Sequence, residues 1–103
     1  MKFMIFLIVT KDNPDVNWKH HDSILREEAQ TVWNLQKNNI IRNIWFTVAK
    51  RDAVLILEEE SEERVRGIIN ELPLIKNNLI LYELIELTAY DGYERLFANK
   101  EGF

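Results

Sequence analysis

Cysteine is absent from this 103-residue chain. That excludes disulfides, thiolate nucleophiles and Cys-ligated zinc or iron–sulfur centres, and it suits a cytoplasmic location. Glycine and proline are scarce, at three and two residues, which leaves no room for Gly-rich, collagen-like or long linker segments. Histidine occurs only as the adjacent pair His20-His21. Neighbours on a helix point about 100° apart, so the pair is a poor metal site. There is no basic stripe, and the net charge is −4. A nucleic-acid binder replaces phosphate counterions with clustered Lys and Arg, so nucleic acid is not an expected partner. No apolar run is long enough to span a membrane. Met1 to Val9 carries Lys2 as its only basic residue and is followed by Lys11-Asp12-Asn13-Pro14-Asp15 instead of small residues. It therefore reads as a strand rather than a secretion signal. Nucleotide loops, nucleophile elbows and zincin helices are also missing, so no metal or cofactor is expected.

What is present is a globular balance, 47% hydrophobic and 29% charged, fitting one domain over residues 1–103. Its organising stretch is a hairpin from Ile40 to Leu57. One arm is Ile40-Ile41-Arg42-Asn43-Ile44-Trp45-Phe46-Thr47-Val48, the other Ala53-Val54-Leu55-Ile56-Leu57, with Lys50-Arg51-Asp52 between them. β-Branched and aromatic residues fit a pleated, half-buried surface. The second arm is apolar at every position, so it needs cover on both faces. Phe3 to Val9 makes the same demand, and Thr10 to Asn17 reads as a polar loop.

A first helix is expected from about Trp18 to Lys37. Trp18, His21, Leu25, Glu28, Val32 and Leu35 recur at steps of three and four and share a face, broadened by Ile24, Ala29 and Trp33. Asn38-Asn39 should end it, because Asn tolerates the left-handed conformation. Ser61 can cap a second helix, with Glu62 and Glu63 at its positive end. Val65, Ile68, Ile69 and Leu72 form its apolar stripe, and Pro73 should close it. Leu79 to Leu87 reads as a fourth strand, with Leu79, Leu81, Glu83, Ile85 and Leu87 on one face. An aromatic tail, 88–103, follows.

The order strand, helix, strand, strand, helix, strand is the split βαβ, ferredoxin-like arrangement, an α+β fold with an antiparallel sheet. Its first and third strands are central, and these are the two runs that are apolar on both faces. Both helices cover one sheet face. The other is too apolar to stay wet, which implies a homodimer or higher oligomer packed sheet to sheet.

In Leu35-Gln36-Lys37, Arg42-Asn43-Ile44-Trp45, Glu58 to Ser61 and Glu71-Leu72-Pro73-Leu74 the chain resembles the muconolactone isomerase-like family of dimeric α+β barrels. The likeness runs from about Glu27 to Leu87. Ile41 and Asn43 depart from a strand that is richer in Trp and His in the family's enzyme, and the loop around Lys50-Arg51 also differs. The tail Tyr90-Asp91-Gly92-Tyr93-Glu94-Arg95-Leu96-Phe97 looks like one seen in other relatives.

The resemblance implies an isomerase that shifts a proton on a small lactone or carboxylic acid. That chemistry needs a base, and a donor or cation to stabilise an enolate oxygen. Glu28 and His21, on the inward stripe of helix one, are the candidate bases. A small rotation that turns Ala29 inward would leave Glu28 on the rim. Arg42, expected on a strand face with Ile40, Ile44 and Phe46, is either a carboxylate anchor or half of an ion pair with Glu83 or Glu28. Asn43, Trp45, Tyr82 and Glu83 are candidate substrate-binding residues, with core or interface packing the alternative for Trp45 and Tyr82. A non-catalytic ligand-binding or assembly module on the same fold is the other functional reading.

Overall fold

The computed structural model describes residues 3–18 and 21–97. Its elements are β1 (Met4–Asp12), α1 (Asp22–Lys37), β2 (Ile41–Phe46), β3 (Ala53–Glu59), α2 (Glu62–Ile69), α3 (Pro73–Lys76) and β4 (Ile80–Leu87), followed by a 3-10 turn at Gly92–Leu96. His20 and the end of the tail, 98–103, lie outside the described residues.

The strands form one sheet in the order β2-β3-β1-β4, every pair antiparallel. The doubly apolar runs β1 and β3 are therefore central, as their composition requires. Register separates the two faces. Phe6, Ile8, Leu55 and Leu57 lie on the helix-covered face, and with Ile41, Val65, Ile69 and Leu72 they make the core. Each such side chain contributes roughly 1.5–3 kcal/mol by leaving water. Ile5, Leu7, Val9, Val54 and Ile56 share the other face with Leu81, Glu83, Ile85 and Leu87. Among the described residues no element covers that face, and Ile5, Leu81, Ile85 and Leu87 are exposed on it.

Helix ends follow from local chemistry. Asn39 takes φ 64°, so Ile40 N–H donates back to the Leu35 carbonyl at 2.9 Å and closes α1. Asn78, at φ 60°, does the same for α3, with Leu79 N–H donating to the Leu74 carbonyl at 2.9 Å. Ser61 caps α2, its Oγ accepting from Arg64 N–H at 3.2 Å. Glu59 is 8% exposed and is tolerated because Arg64 Nε donates to it at 3.0 Å.

Four expectations are corrected. β1 runs on to Asp12 because Thr10, Lys11 and Asp12 pair with Tyr82, Leu81 and Ile80 of β4, so what reads as the start of a loop is strand. α1 begins at Asp22, with His21 as its N-cap residue and Trp18 ahead of it. Pro73 does not simply stop a helix; it occupies the first turn of α3, where its missing N–H costs nothing. Finally, β2 carries a bulge. Ile41 pairs with Leu57 and Asn43 with Ile56, which leaves Arg42 as the extra residue. The bulge resets the alternation, so Ile41, Ile44 and Phe46 share the helix face while Arg42 joins Glu58 on the other.

Candidate functional site

α1 has no fully buried residue. Val32 and Leu35, in its C-terminal half, pack against the core, whereas Leu25 near its start remains 42% exposed. The N-terminal half stands off the sheet and leaves a cavity of about 740 Å³. Thr10 and Asp12 of β1, Ile44 and Phe46 of β2, and Ala53 of β3 line the sheet side. Leu25, Glu28, Ala29, Val32, Trp33 and Gln36 line the helix side, with Trp18, Trp45, Arg51, Leu74 and Ile80 completing the wall. A mostly apolar recess with a few convergent polar groups is the usual form of a small-molecule site.

Glu28 is one of those polar groups. Its Oε1 accepts the Leu74 N–H at 3.0 Å, at the start of α3. Burial pushes its carboxyl above the ordinary value of 4.5, and the Leu74 amide only partly offsets this. Thr10 is the second. It is 5% exposed, and its Oγ1 accepts the Ala53 N–H at 2.9 Å, which leaves the hydroxyl proton to be donated. The Arg51 guanidinium is the third, 4.5 Å from the centroid of the Phe46 ring. Asp12 adds a second carboxylate to the lining.

Of the three candidate catalytic residues read from sequence, only Glu28 lines this cavity. His21 sits at the N-cap, its ring edge-on to Trp18 with centroids 6.2 Å apart, and it is not part of the lining. Arg42 lies on the opposite sheet face, its Nη2 3.5 Å from Glu58 Oε1. It therefore pairs with neither candidate: the bulge turns it away from Glu28 and the cavity, and Glu83, although on the same open face, stands on β4 at the opposite edge of the sheet. Asn43 and Glu83 are likewise on the open face. Trp45 borders the cavity, although its register opposite Val54 puts its side chain on the open face. Tyr82 lies on the helix face but away from the cavity, where its hydroxyl donates to Asn70 Oδ1 at 2.9 Å. Among the described residues no three His, Asp or Glu side chains gather as a metal set.

Thr10, Asp12 and Arg51 are the site residues that sequence reasoning missed. The signal for the first two was parity. Phe6, Ile8, Thr10 and Asp12 are spaced by two, so a strand that continues past Val9 puts all four on one face. The Lys50-Arg51 loop did stand out as a departure from the family pattern, but nothing local tied it to the helix.

No protein-family model matches the chain, and no curated protein matches it in sequence. Solved structures do match. Muconolactone isomerase superposes with a TM-score of 0.73 at 18% identity, covering 85% of this chain and 92% of that one. A 5-chloro-2-hydroxyhydroquinone dehydrochlorinase from Burkholderia phenoliruptrix, solved in complex with 2,5-dihydroxybenzoquinone, superposes with a TM-score of 0.65 at 20% identity. The match covers 86% of this chain and 98% of the dehydrochlorinase. The chain thus has the muconolactone isomerase fold, a ferredoxin-like α+β architecture with an antiparallel sheet.

Proposed function

We propose that this chain binds a small ring-shaped acid or lactone in the cavity under α1 and moves a proton on it. Glu28 is the base. Its carboxylate takes a proton from a carbon next to the ligand's carbonyl, and the electron pair passes into the enolate. The Thr10 hydroxyl donates to the developing oxygen. The protonated Glu28 then returns the proton at another carbon, so the ligand is isomerised and the carboxylate restored.

The observation that carries this reading is a half-buried carboxyl, raised by burial, in a largely apolar recess. A raised value makes the conjugate base stronger at neutral pH, as carbon-proton abstraction requires. The structural likeness to muconolactone isomerase and to a dehydrochlorinase favours ring chemistry of this kind by analogy of fold alone.

One observation favours a non-catalytic binding module instead. Glu28 already has a structural task, since its Oε1 holds the Leu74 amide at the start of α3. NMR of muconolactone with the protein in deuterated water separates the two. Deuterium incorporation at catalytic rates that is lost in Glu28→Gln establishes proton transfer. Absence of exchange by the folded wild-type protein leaves the binding module.

The open sheet face bears on the assembled state. Ile5, Leu81, Ile85 and Leu87 stand exposed there, and Trp45 is exposed at the far edge of the same face; exposed apolar surface of this kind marks an interaction site when it is contiguous and large. A second copy of this chain, packed sheet to sheet, is the cover we propose.

A further inference from the structure

We propose that Arg51 sets the charge specificity of the cavity: its guanidinium, stacked on Phe46, binds the carboxylate of an anionic ring ligand. This rests on reading the cavity as a small-molecule site and adds a residue that selects what enters it.

The turn between β2 and β3 constrains the backbone of Arg51. Thr47 N–H donates to the Asp52 carbonyl and Arg51 N–H to the Thr47 carbonyl, each at 2.8 Å. Asp52 N–H donates to Thr47 Oγ1 at 3.0 Å. These bonds fix Arg51 at φ 56°, where a Cβ is unfavourable and Gly or Asn is the ordinary choice. Among the described residues the other non-glycine positions with positive φ are both Asn, at 39 and 78. Arg51 is the exception, and the hydrogen bonds that hold the turn use its backbone and not its side chain. Backbone strain held at a cavity wall points to a use for the side chain.

The Arg51 side chain lies over Phe46, 4.5 Å from the ring centroid, and lines the cavity as its only cationic residue among the described ones. Contact with the ring leaves the N–H donors at the edge of the guanidinium for another partner. No ion pair or hydrogen bond uses that edge among the described residues. Asp12 and Glu28 line the same cavity, yet neither pairs with Arg51. A planar, unpaired fork beside an aromatic ring fits a carboxylate carried on a flat ring: the ring extends along Phe46 and the two oxygens meet the fork.

The test is equilibrium binding to the full chain, read by titration calorimetry, with muconolactone and its neutral methyl ester as the pair of probes. The wild type should prefer the acid by about tenfold to a hundredfold, the range of one charge-assisted hydrogen-bonded pair. Arg51→Met and Arg51→Gly should lose that preference while binding the ester as the wild type does, and Arg51→Lys should keep part of it. Arg51→Gly also reports on the turn, since glycine relieves the φ 56° backbone and should leave Tm unchanged or raised. Equal affinity of the wild type for acid and ester, or a preference that survives in Arg51→Met, overturns the assignment and leaves the cavity reading standing. Failure of the folded wild type to bind either probe overturns the cavity reading and this assignment with it.

Discussion

Replacing Glu28 by Ala and by Gln separates its structural task from its ionisation. In Glu28→Ala the Leu74 N–H, now held at 3.0 Å by Oε1, loses its acceptor in a partly buried position. An unsatisfied donor of that kind costs about 1–3 kcal/mol. For a domain of this size each kcal/mol lowers Tm by about 4–8 °C. Glu28→Gln keeps the shape and a carbonyl oxygen for the amide, so its cost at neutral pH should stay within about 1 kcal/mol. The pH dependence has a definite sign. Burial raises the folded-state value of Glu28 above its ordinary 4.5, so between the two values the native chain holds the proton that the unfolded chain has released. The native state is favoured below 4.5 and loses that advantage as pH climbs through the raised value. Urea unfolding followed by tryptophan fluorescence from pH 4 to 8, at fixed protein concentration, should show wild-type stability falling relative to Glu28→Gln across that window. A wild type that gains on Glu28→Gln as pH rises, or a Glu28→Ala variant as stable as the wild type, would refute the account of this carboxyl.

Other expectations test the scaffold. Asn39→Ala should destabilise by about 1 kcal/mol, because alanine lacks the short polar side chain that eases asparagine into the left-handed region, whereas Asn39→Gly should be neutral or better in the same urea titration. Leu57→Ala, at a side chain with no exposed surface, should cost about 2–5 kcal/mol and bring the midpoint down sharply. Ser61→Ala should cost about 1 kcal/mol through the lost cap on α2. Ile85→Glu, on the open face, should reduce the mass measured by light scattering without unfolding the protein; an unchanged mass would show that this face is not the one a second copy covers.

The fold was legible because its strongest demands are compositional. β1 and β3 are apolar on both faces, and only the two central strands of this topology can satisfy that. Asn39 announced the end of α1, and Ser61 the start of α2. The site was less legible, because its members are set by register rather than by type. Arg42 follows the simple alternation of Ile40, Ile44 and Phe46 in sequence, and one bulged residue moves it to the far face. Thr10 and Asp12 are polar residues next to a proline-bearing loop, and only the pairing with β4 makes them strand. His21 shares the helical spacing of Glu28, but α1 begins one residue after it. Arg51 enters through a turn whose geometry asks for a different residue. Tyr90, Tyr93 and Phe97 stand exposed, and Tyr93 belongs to the short turn at Gly92–Leu96.

The bulge on β2 has a consequence for how this strand tolerates length change. Because Arg42 is surplus to the ladder, removing it would let Ile41 and Asn43 become ordinary neighbours opposite Leu57 and Ile56. No other side chain would exchange faces. The loss would be confined to the exposed contact with Glu58, which is worth about 0–1 kcal/mol. Deleting Ile44, two positions on, would instead shift Trp45 and Phe46 by one place against β3, bringing the indole to the Ile44 place on the cavity side and turning the Phe46 ring to the open face. The edge strand therefore holds one disposable position among residues whose number is fixed by parity.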